Sequence, residues 1–335
     1  MGNRRNEYLD VIRAISCILV IFIHRPFPGV AGNIVSAIAR SGVALFFIIS
    51  GYYAYNNNSK LANRNILSRL KHILKILVYA LLFYLIWESF IRWFGSGFSS
   101  TYNWITNHVL NPHTWYLALV WDRDPVAGHL WFLFALARCY ILLFIILKLK
   151  AARYTLALSI TCLAATVIMQ LNNFQTFYFR NGWAFGAGFF LTGYYLAYSQ
   201  KDRLDIFIIY SAMTVGLLLS VLGGIIIPNQ QIYIGTVLLG ISVFCWTLSK
   251  KGDSLRIPGL HLFADIGAKY GLMIYVVHWS IKECFIKLDK IRVFPNQGYY
   301  LWFSPILLAL ATIVTCAALY NIFGTLSGIK RNKDE

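Results

Sequence analysis

The sequence has few acidic residues, no cysteine motif and no long hydrophilic segment. Asp and Glu account for 13 of the 335 residues, against 30 Lys and Arg. No hydrophilic run within these residues is long enough for an added soluble domain. Each of the six cysteines lies in or at the end of an apolar run, and none forms a Cys-x-x-Cys pair. This placement indicates small buried side chains and argues against a disulfide framework or a cysteine metal site.

Repeats and hydrolase motifs are also missing. The sequence shows no internal repeat, so symmetry gives no support for an inverted-repeat transporter. It contains no Gly-x-Ser-x-Gly elbow, the turn that presents a nucleophilic serine in many hydrolases.

Apolar residues, by contrast, are abundant. Hydrophobic residues make up 58% of the chain and the mean hydropathy is +0.60, whereas soluble domains are about 45–50% apolar. Apolar runs of membrane-spanning length recur along the whole sequence. The sequence therefore predicts an all-α, polytopic integral membrane protein in which residues 1–335 form a single membrane-embedded domain.

We count about ten transmembrane helices. They lie at about 9–27, 33–55, 74–94, 129–148, 154–171, 181–199, 206–227, 231–249, 266–286 and 299–324. Roughly 19 of the 30 Lys and Arg lie in the N-terminus and the connections on its side, which predicts that both termini are cytoplasmic. Most of the net charge of +17 then reflects the orientation of the chain in the membrane, and no nucleic-acid partner is expected. A basic connection follows the second span, and a polar, aromatic loop covers about 95–128.

The first span carries three ionisable residues, Asp10, Arg13 and His24. Eleven residues separate Arg13 from His24, so on a helix both side chains share one face, roughly 16 Å apart along the axis. Charged and polar groups are costly inside a membrane, and such a stripe should face protein or a water-filled cavity. This stripe is the first candidate for a functional site.

Four segments carry a resemblance to a known family. They are Leu9–Arg13 followed by His24, the segment Ser41–Tyr52 with its Phe-Phe-x-x-Ser-Gly pattern, His129–Leu133, and Tyr275–His278. Together they resemble membrane-bound acyltransferase family 3, in which a basic residue precedes a histidine by eleven positions in the first span. Ten spans in about 335 residues are also similar to the membrane domain of that family.

The resemblance implies transfer of an acyl group, most commonly acetyl, from cytoplasmic acyl-CoA to a hydroxyl of a cell-envelope glycan or related acceptor. The expected location is a bacterial cytoplasmic membrane. The expected partners are acyl-CoA, a glycan or lipid-linked glycan, and membrane lipids. Two alternatives stay open: a proton-coupled transporter or flippase of a glycan or small anion, and a non-catalytic membrane scaffold or sensor. A transporter would move its solute without consuming acyl-CoA.

Within this hypothesis the first span supplies the catalytic residues. His24 acts either as the base that removes the acceptor's hydroxyl proton or as a carrier of the acyl group itself. Arg13 either holds a CoA phosphate or polarises the thioester carbonyl, whereas its structural alternative is an arginine that extends to the membrane interface. Asp10 is expected to orient Arg13 through an i,i+3 ion pair.

Other polar residues extend the candidate site. The basic residues Arg64, Arg69 and Lys71 either bind CoA phosphates, for which arginine is well suited, or anchor the chain to lipid headgroups. Acceptor contacts are assigned to five residues at membrane depth or at its outer edge: Ser50, Glu88, His129, Trp131 and His278. For Ser50 the alternative is helix packing. No metal is expected, because the two histidines of the 95–128 loop lack a convincing third ligand.

Overall fold

The structure is a computed structural model that describes residues 5–199, 205–255, 257, 259–290 and 297–326. Within these residues the chain is helical and contains no strand. The α-helices are α1 (Glu7–His24), α2 (Gly29–Tyr52), α3 (Ser59–Trp104), α4 (Pro112–Trp121), α5 (Trp131–Lys148), α6 (Thr155–Leu171), α7 (Thr176–Phe179), α8 (Phe185–Tyr198), α9 (Ile206–Ile226), α10 (Ile234–Ser249), α11 (Leu260–Lys290) and α12 (Gln297–Leu326).

The predicted all-α membrane class is confirmed. Each of the ten predicted spans overlaps one helix, and seven helices among the described residues are long and apolar enough to cross a membrane. Three predicted spans fall outside this set. The helix α1 carries the charged residues Glu7, Asp10 and Arg13, and α8 and α10 are shorter, with 14 and 16 residues. Ten crossings and cytoplasmic termini stay predictions.

The outer surface of the bundle is apolar. Large side chains on α3 and α9 face outward, with Ile86, Phe94 and Phe207 exposing 72%, 76% and 75% of their surface. Exposed apolar faces of this extent indicate contact with another apolar phase, and lipid is the one that suits a bundle of long apolar helices.

The segment after α2 differs from the prediction. Asn58 caps α3, because its side-chain oxygen accepts the backbone N–H groups of Lys60 and Leu61. The helix therefore begins at Ser59, and the basic residues that were expected in a connection lie on its first turns. A helical setting gives Arg69 a defined face, about 140° around the helix from Arg64.

The expected loop over 95–128 is also mostly helical. Gly97, with φ of 82°, interrupts α3, and the chain continues in helical turns to Val109. Asn111 then caps α4, whose first residue, Pro112, has no N–H to satisfy. Within 95–128, the longest irregular stretch is the one between α4 and α5, which starts at residue 122 and runs to residue 130. The prediction of a loop was wrong because Asn111 and Pro112 favour the start of a helix, and this local preference outweighs the polar composition of the segment.

Close packing of α1 against α11 sets the geometry of the polar stripe. At Gly267 a Cβ atom would lie 1.9 Å from the backbone oxygen of Asp10, so only glycine allows this approach. One turn further along, the Cys17 thiol reaches the Gly271 carbonyl at 3.4 Å. The two helices thus run parallel, and α11 brings His278 to the level of His24. We call the start of α1 the Asp10 end of the bundle and the opposite end the His24 end.

Candidate active site

Three histidines converge at the His24 end. The ring centroid of His278 lies 5.3 Å from that of His24 and 5.1 Å from that of His129. The indole of Trp279 lies between them, stacked on His129 at 5.1 Å and edge-on to His24 at 5.3 Å. We call His24, His129 and His278 the histidine cluster. In the described part of the chain, no three His, Cys, Asp or Glu side chains are arranged to hold a metal ion.

His278 has a defined hydrogen-bonding state. Its Nδ1 lies 2.7 Å from the carbonyl oxygen of Tyr275 and 3.1 Å from that of Ile274. Because a carbonyl only accepts, Nδ1 carries the proton, and in the neutral ring Nε2 is left as an acceptor. That Nε2 is buried and has no hydrogen-bond partner among the residues that the structure describes.

His129 is fixed by tyrosines of two neighbouring helices. The Tyr275 hydroxyl donates to the His129 carbonyl at 2.5 Å, and the Tyr84 ring packs edge-on against the imidazole at 4.8 Å. Tyr84 is itself held in place, since it donates to the Val276 carbonyl and accepts the Ser280 N–H. Both ring nitrogens of His129 are buried, and the ring lies against the backbone of Val276. His24, in contrast, is only half-buried and is the most exposed member of the cluster.

Charged residues of α3 and α11 lie around the histidine cluster. The Lys282 ammonium lies 3.0 Å from the Trp279 ring centroid and 3.3 Å from the Glu283 carboxylate. Glu88 lies one turn beyond Tyr84 on α3, pairs with Arg92 at 3.7 Å, and interacts electrostatically with Lys282. The predicted acceptor residue Glu88 therefore belongs to the rim of the histidine cluster.

The Asp10 end holds a second polar group. The buried Asp10 carboxylate accepts from Arg5 at 2.5 Å and from Arg13 at 2.7 Å, which gives the predicted i,i+3 pair. This bond raises the pKa of Arg5. Arg13 also lies over the Tyr53 ring, 5.7 Å from its centroid. Arg5 also pairs with Asp265 at 3.6 Å, so two guanidinium groups and two carboxylates meet at this end.

The other residues predicted to bind the donor are Arg64, Arg69 and Lys71, and they do not all lie in the same place. Arg69 reaches the same region, because it interacts with Tyr53 and with the hydroxyl of Tyr140, which is also within hydrogen-bonding reach of Ser50. Ser50 donates to the Phe46 carbonyl at 2.8 Å. Ser50 thus lies at the Asp10 end, apart from the histidine cluster, and its predicted contact with the acceptor stays a prediction. Arg64 and Lys71 are exposed on the other face of α3.

Arg138 is part of the scaffold. It pairs with the buried Asp122 at 2.7 Å and donates to the carbonyls of Leu119 and Val120. Asp122 in turn accepts the Gly182 N–H at 2.6 Å. The ion pair fixes the end of α4 against α5 and α8, and so positions the stretch that leads to His129.

Several site residues escaped the sequence analysis. Trp279 and Tyr84 hold the cluster, yet aromatic residues are too common in this sequence to stand out. Tyr275, which also holds it, was noted only as the first residue of the segment Tyr275–His278. Arg40 and Arg180 also lie at the His24 end, where both donate to Gln231. For Arg40 a signal was available, since an arginine inside an apolar span is costly unless it has a role.

These features define a polytopic helical membrane protein with one polar group at each end of its first helix. The family model described as "Acyltransferase domain", that of acyltransferase family 3, matches residues 6–321. The chain therefore belongs to acyltransferase family 3 and is a membrane acyltransferase. Comparison with curated proteins and with solved structures gives no match.

Proposed function

We propose that this protein transfers an acyl group, acetyl in the first instance, from cytoplasmic acyl-CoA to a hydroxyl of a cell-envelope glycan. One observation carries the proposal: α1 bears a cationic group, Arg13 on Asp10, at one end and the half-buried His24 at the other. CoA has its phosphates and its thioester at opposite ends of an extended arm. A helix with phosphate-binding and proton-accepting groups roughly 16 Å apart suits such a donor.

His24 is the proposed base. The acceptor oxygen attacks the thioester carbonyl, its proton passes to His24, and a C–O ester bond forms as the C–S bond breaks. CoA leaves as the thiolate and takes up a proton to become the thiol. General-base catalysis of this kind contributes about 10²- to 10⁴-fold to the rate. His278 is the proposed positioning residue, because its unprotonated Nε2 lies in the cluster as an acceptor for the protonated His24 ring.

The donor is proposed to bind at the Asp10 end. Arg13 and Arg69 both face Tyr53, and guanidinium groups bind phosphate oxygens through two parallel hydrogen bonds. The positive-inside charge pattern supports a cytoplasmic location for this end, where acyl-CoA is found. The acceptor is proposed to approach the His24 end past His129 and Trp131. A bacterial cytoplasmic membrane is the proposed location.

The test uses the purified full chain in lipid nanodiscs, which leave both faces accessible. Radiolabelled acetyl-CoA and a crude envelope-glycan fraction are supplied, and free CoA and labelled glycan are measured by chromatography. We expect both products from the wild type and neither from His24→Ala. His261→Ala is the matched control, because His261 is exposed at the start of α11. Equal CoA release from wild type and His24→Ala would exclude His24 as the base. Solute uptake without CoA release would favour the transporter instead.

A further inference from the structure

Two arginines at the His24 end share one neutral acceptor. Arg40 Nη1 and Arg180 Nη1 donate to the same Gln231 Oε1, at 2.7 and 3.1 Å. Throughout the described ranges, no carboxylate lies within 4.0 Å of either guanidinium, whereas Arg13, Arg25 and Arg138 each have one. An amide oxygen satisfies a hydrogen bond but leaves both positive charges uncompensated.

Burial makes the absence of a counter-charge costly. Arg180 stacks over Trp131, 4.9 Å from the ring centroid, and its Nε is buried with no hydrogen-bond partner in the described part of the chain. Burial lowers the pKa of Arg180, which precedes α8, to about 10. Charged side chains that are largely buried are normally paired. The two guanidinium groups are therefore arranged for an anion that the chain does not itself provide.

The arrangement is rigid. Gln231 lies in the turn between α9 and α10, and Gln170 of α6 holds that turn on both sides. Gln170 Oε1 accepts the N–H groups of Gln231 and Ile232 at 2.8 and 3.0 Å, while its Nε2 donates to the Ile232 carbonyl at 2.8 Å. Groups fixed before a ligand arrives lose less freedom on binding, which favours a true binding site.

A cavity opens beside Arg40; Arg180 is not part of its lining and is linked to Arg40 through the shared acceptor Gln231. The cavity has a volume of about 270 Å³ and its lining includes Ile23, Phe27, Asn33, Ser36, Arg40 and Tyr233. Ile23 directly precedes His24, and His24 interacts electrostatically with both arginines. The volume is just below the roughly 300 Å³ at which small-molecule pockets begin. Amide and hydroxyl groups beside aromatic rings suit a sugar ring, which presents hydroxyls at its edge and C–H groups on its face.

We propose that this cavity binds an acidic sugar residue of the acceptor, whose carboxylate or phosphate pairs with Arg40 and Arg180. Arginine recognises both anions through bidentate hydrogen bonds. The inference rests on the proposed function, because it places the acceptor ring next to the base His24. It narrows the acceptor from any envelope glycan to one that carries an acidic residue near the acylated hydroxyl.

The experiment compares methyl β-D-glucuronide with methyl β-D-glucoside, which differ only in the C6 carboxylate. Delipidated full-length protein in detergent is used at constant ionic strength. Acceptor binding is followed by the thermal unfolding temperature, and acyl transfer by label from acetyl-CoA. We expect kcat/KM to favour the glucuronide by about 10- to 100-fold, the range for hydrogen bonds between charged groups.

Three variants test the assignment. Arg40→Gln and Arg180→Gln should bring the ratio of glucuronide to glucoside kcat/KM close to one, and Arg180→Lys should retain part of it. The ratio is measured within one sample, so it does not depend on the folded fraction. Arg123→Gln removes an exposed guanidinium from the loop at the same end and should leave the ratio unchanged.

Each remaining result decides against one proposal. Equal acylation of both sugars, or a preference that survives in both Gln variants, overturns the acidic-sugar site and leaves the acyltransferase proposal intact. Arginine-dependent binding of the glucuronide without acylation of either sugar retains the site and overturns the proposed reaction. If neither sugar binds, or if phosphatidylglycerol alone raises the unfolding temperature through the two arginines, the ligand is not a sugar and the inference fails.

Discussion

The imidazole rings of His24 and His278 face each other across the α1–α11 interface, with centroids 5.3 Å apart and an interplanar angle of 30°. The first ring is half-buried and the second is completely buried. Their unequal exposure separates two roles: His24 can meet a substrate, whereas His278 can act only through its neighbours. Both positions depend on the glycine contact that brings α11 against Asp10.

Replacing His278 should affect turnover more than donor binding. We expect His278→Phe to lower kcat by about 10- to 100-fold, the loss typical of one supporting hydrogen bond to a charged group. The KM for acetyl-CoA should stay within about twofold, because the donor groups lie at the Asp10 end. Steady-state kinetics of His278→Phe, His278→Gln and the control His261→Phe test this. Gln should recover part of the activity, and a parallel change in KM would indicate general disruption instead.

Arg13 and Arg69 should contribute to binding of the donor acetyl-CoA, whereas Arg64 should not. We expect Arg13→Ala and Arg69→Ala each to raise the KM for acetyl-CoA by about tenfold or more, because each removes a phosphate contact. Arg64→Ala should change it less than about threefold, since Arg64 lies about 140° around α3 from Arg69.

Acetyl-pantetheine provides the control for this prediction, since it lacks the nucleotide phosphates. Its kcat/KM should be nearly equal in wild type, Arg13→Ala and Arg69→Ala. An equal loss with both donors would mean that these arginines polarise the carbonyl or hold the fold, and that phosphate recognition lies elsewhere.

The sequence predicted those parts of the fold that follow from the length and spacing of apolar runs and from the free-energy cost of placing ionisable groups in a membrane. Apolar runs identified ten helices, because hydrophobic length is a strong signal. The free-energy cost of ionisable groups in a membrane made Asp10, Arg13, His24, His129 and His278 candidate site residues. Spacing along one helix also predicted the ion pair between Asp10 and Arg13, which is a local property.

The rest depends on tertiary packing. The meeting of His24, His129 and His278 requires α1, α11 and the 122–130 stretch to be placed together, which no local pattern specifies. Ser50 hydrogen-bonds within α2 and lies at the Asp10 end, a placement that the sequence alone does not specify. The helical form of 95–121 was missed since composition was weighed above the capping residues Asn111 and Pro112.

Two glycines on one face of α11 should respond oppositely to alanine. At Gly267 a Cβ would meet the Asp10 carbonyl oxygen at 1.9 Å, so Gly267→Ala must push α11 from α1. Overpacking costs about 1–3 kcal/mol and exceeds the gain of about 1 kcal/mol from replacing a helical glycine. At Gly271 the nearest atom is the Cys17 sulfur at 3.8 Å, an ordinary contact, and only the gain applies.

We therefore expect Gly267→Ala to lower the thermal unfolding temperature and to reduce acyl transfer, since it separates His24 from His278. Gly271→Ala should match or exceed the wild type in stability and retain activity. Melting curves and transfer rates of the two variants in the same detergent check this. Equal stability of both would show that the α1–α11 approach is looser than the structure indicates.

A buried carboxyl next to the histidine cluster should make stability depend on pH. Burial raises the pKa of Asp124, in the loop before α5, from 3.8 to about 7, even though Oδ1 accepts the N–H groups of Val126 and Ala127. The folded protein thus holds this proton more tightly than the unfolded chain does. Its contribution to stability is fully present below about pH 4 and is lost as the pH rises towards 7.

The unfolding temperature of the wild type should accordingly fall between pH 5 and pH 8. Asp124→Asn should show a flatter profile, because the amide does not titrate while its oxygen still accepts the two N–H groups. Burial also raises the pKa of Asp122 to about 6, which leaves a residual slope in the variant. The exposed Asp253→Asn serves as control and should follow the wild type. Parallel curves for wild type and Asp124→Asn would mean that Asp124 is ionised in the folded protein throughout this range, and its burial would then need a cation close by.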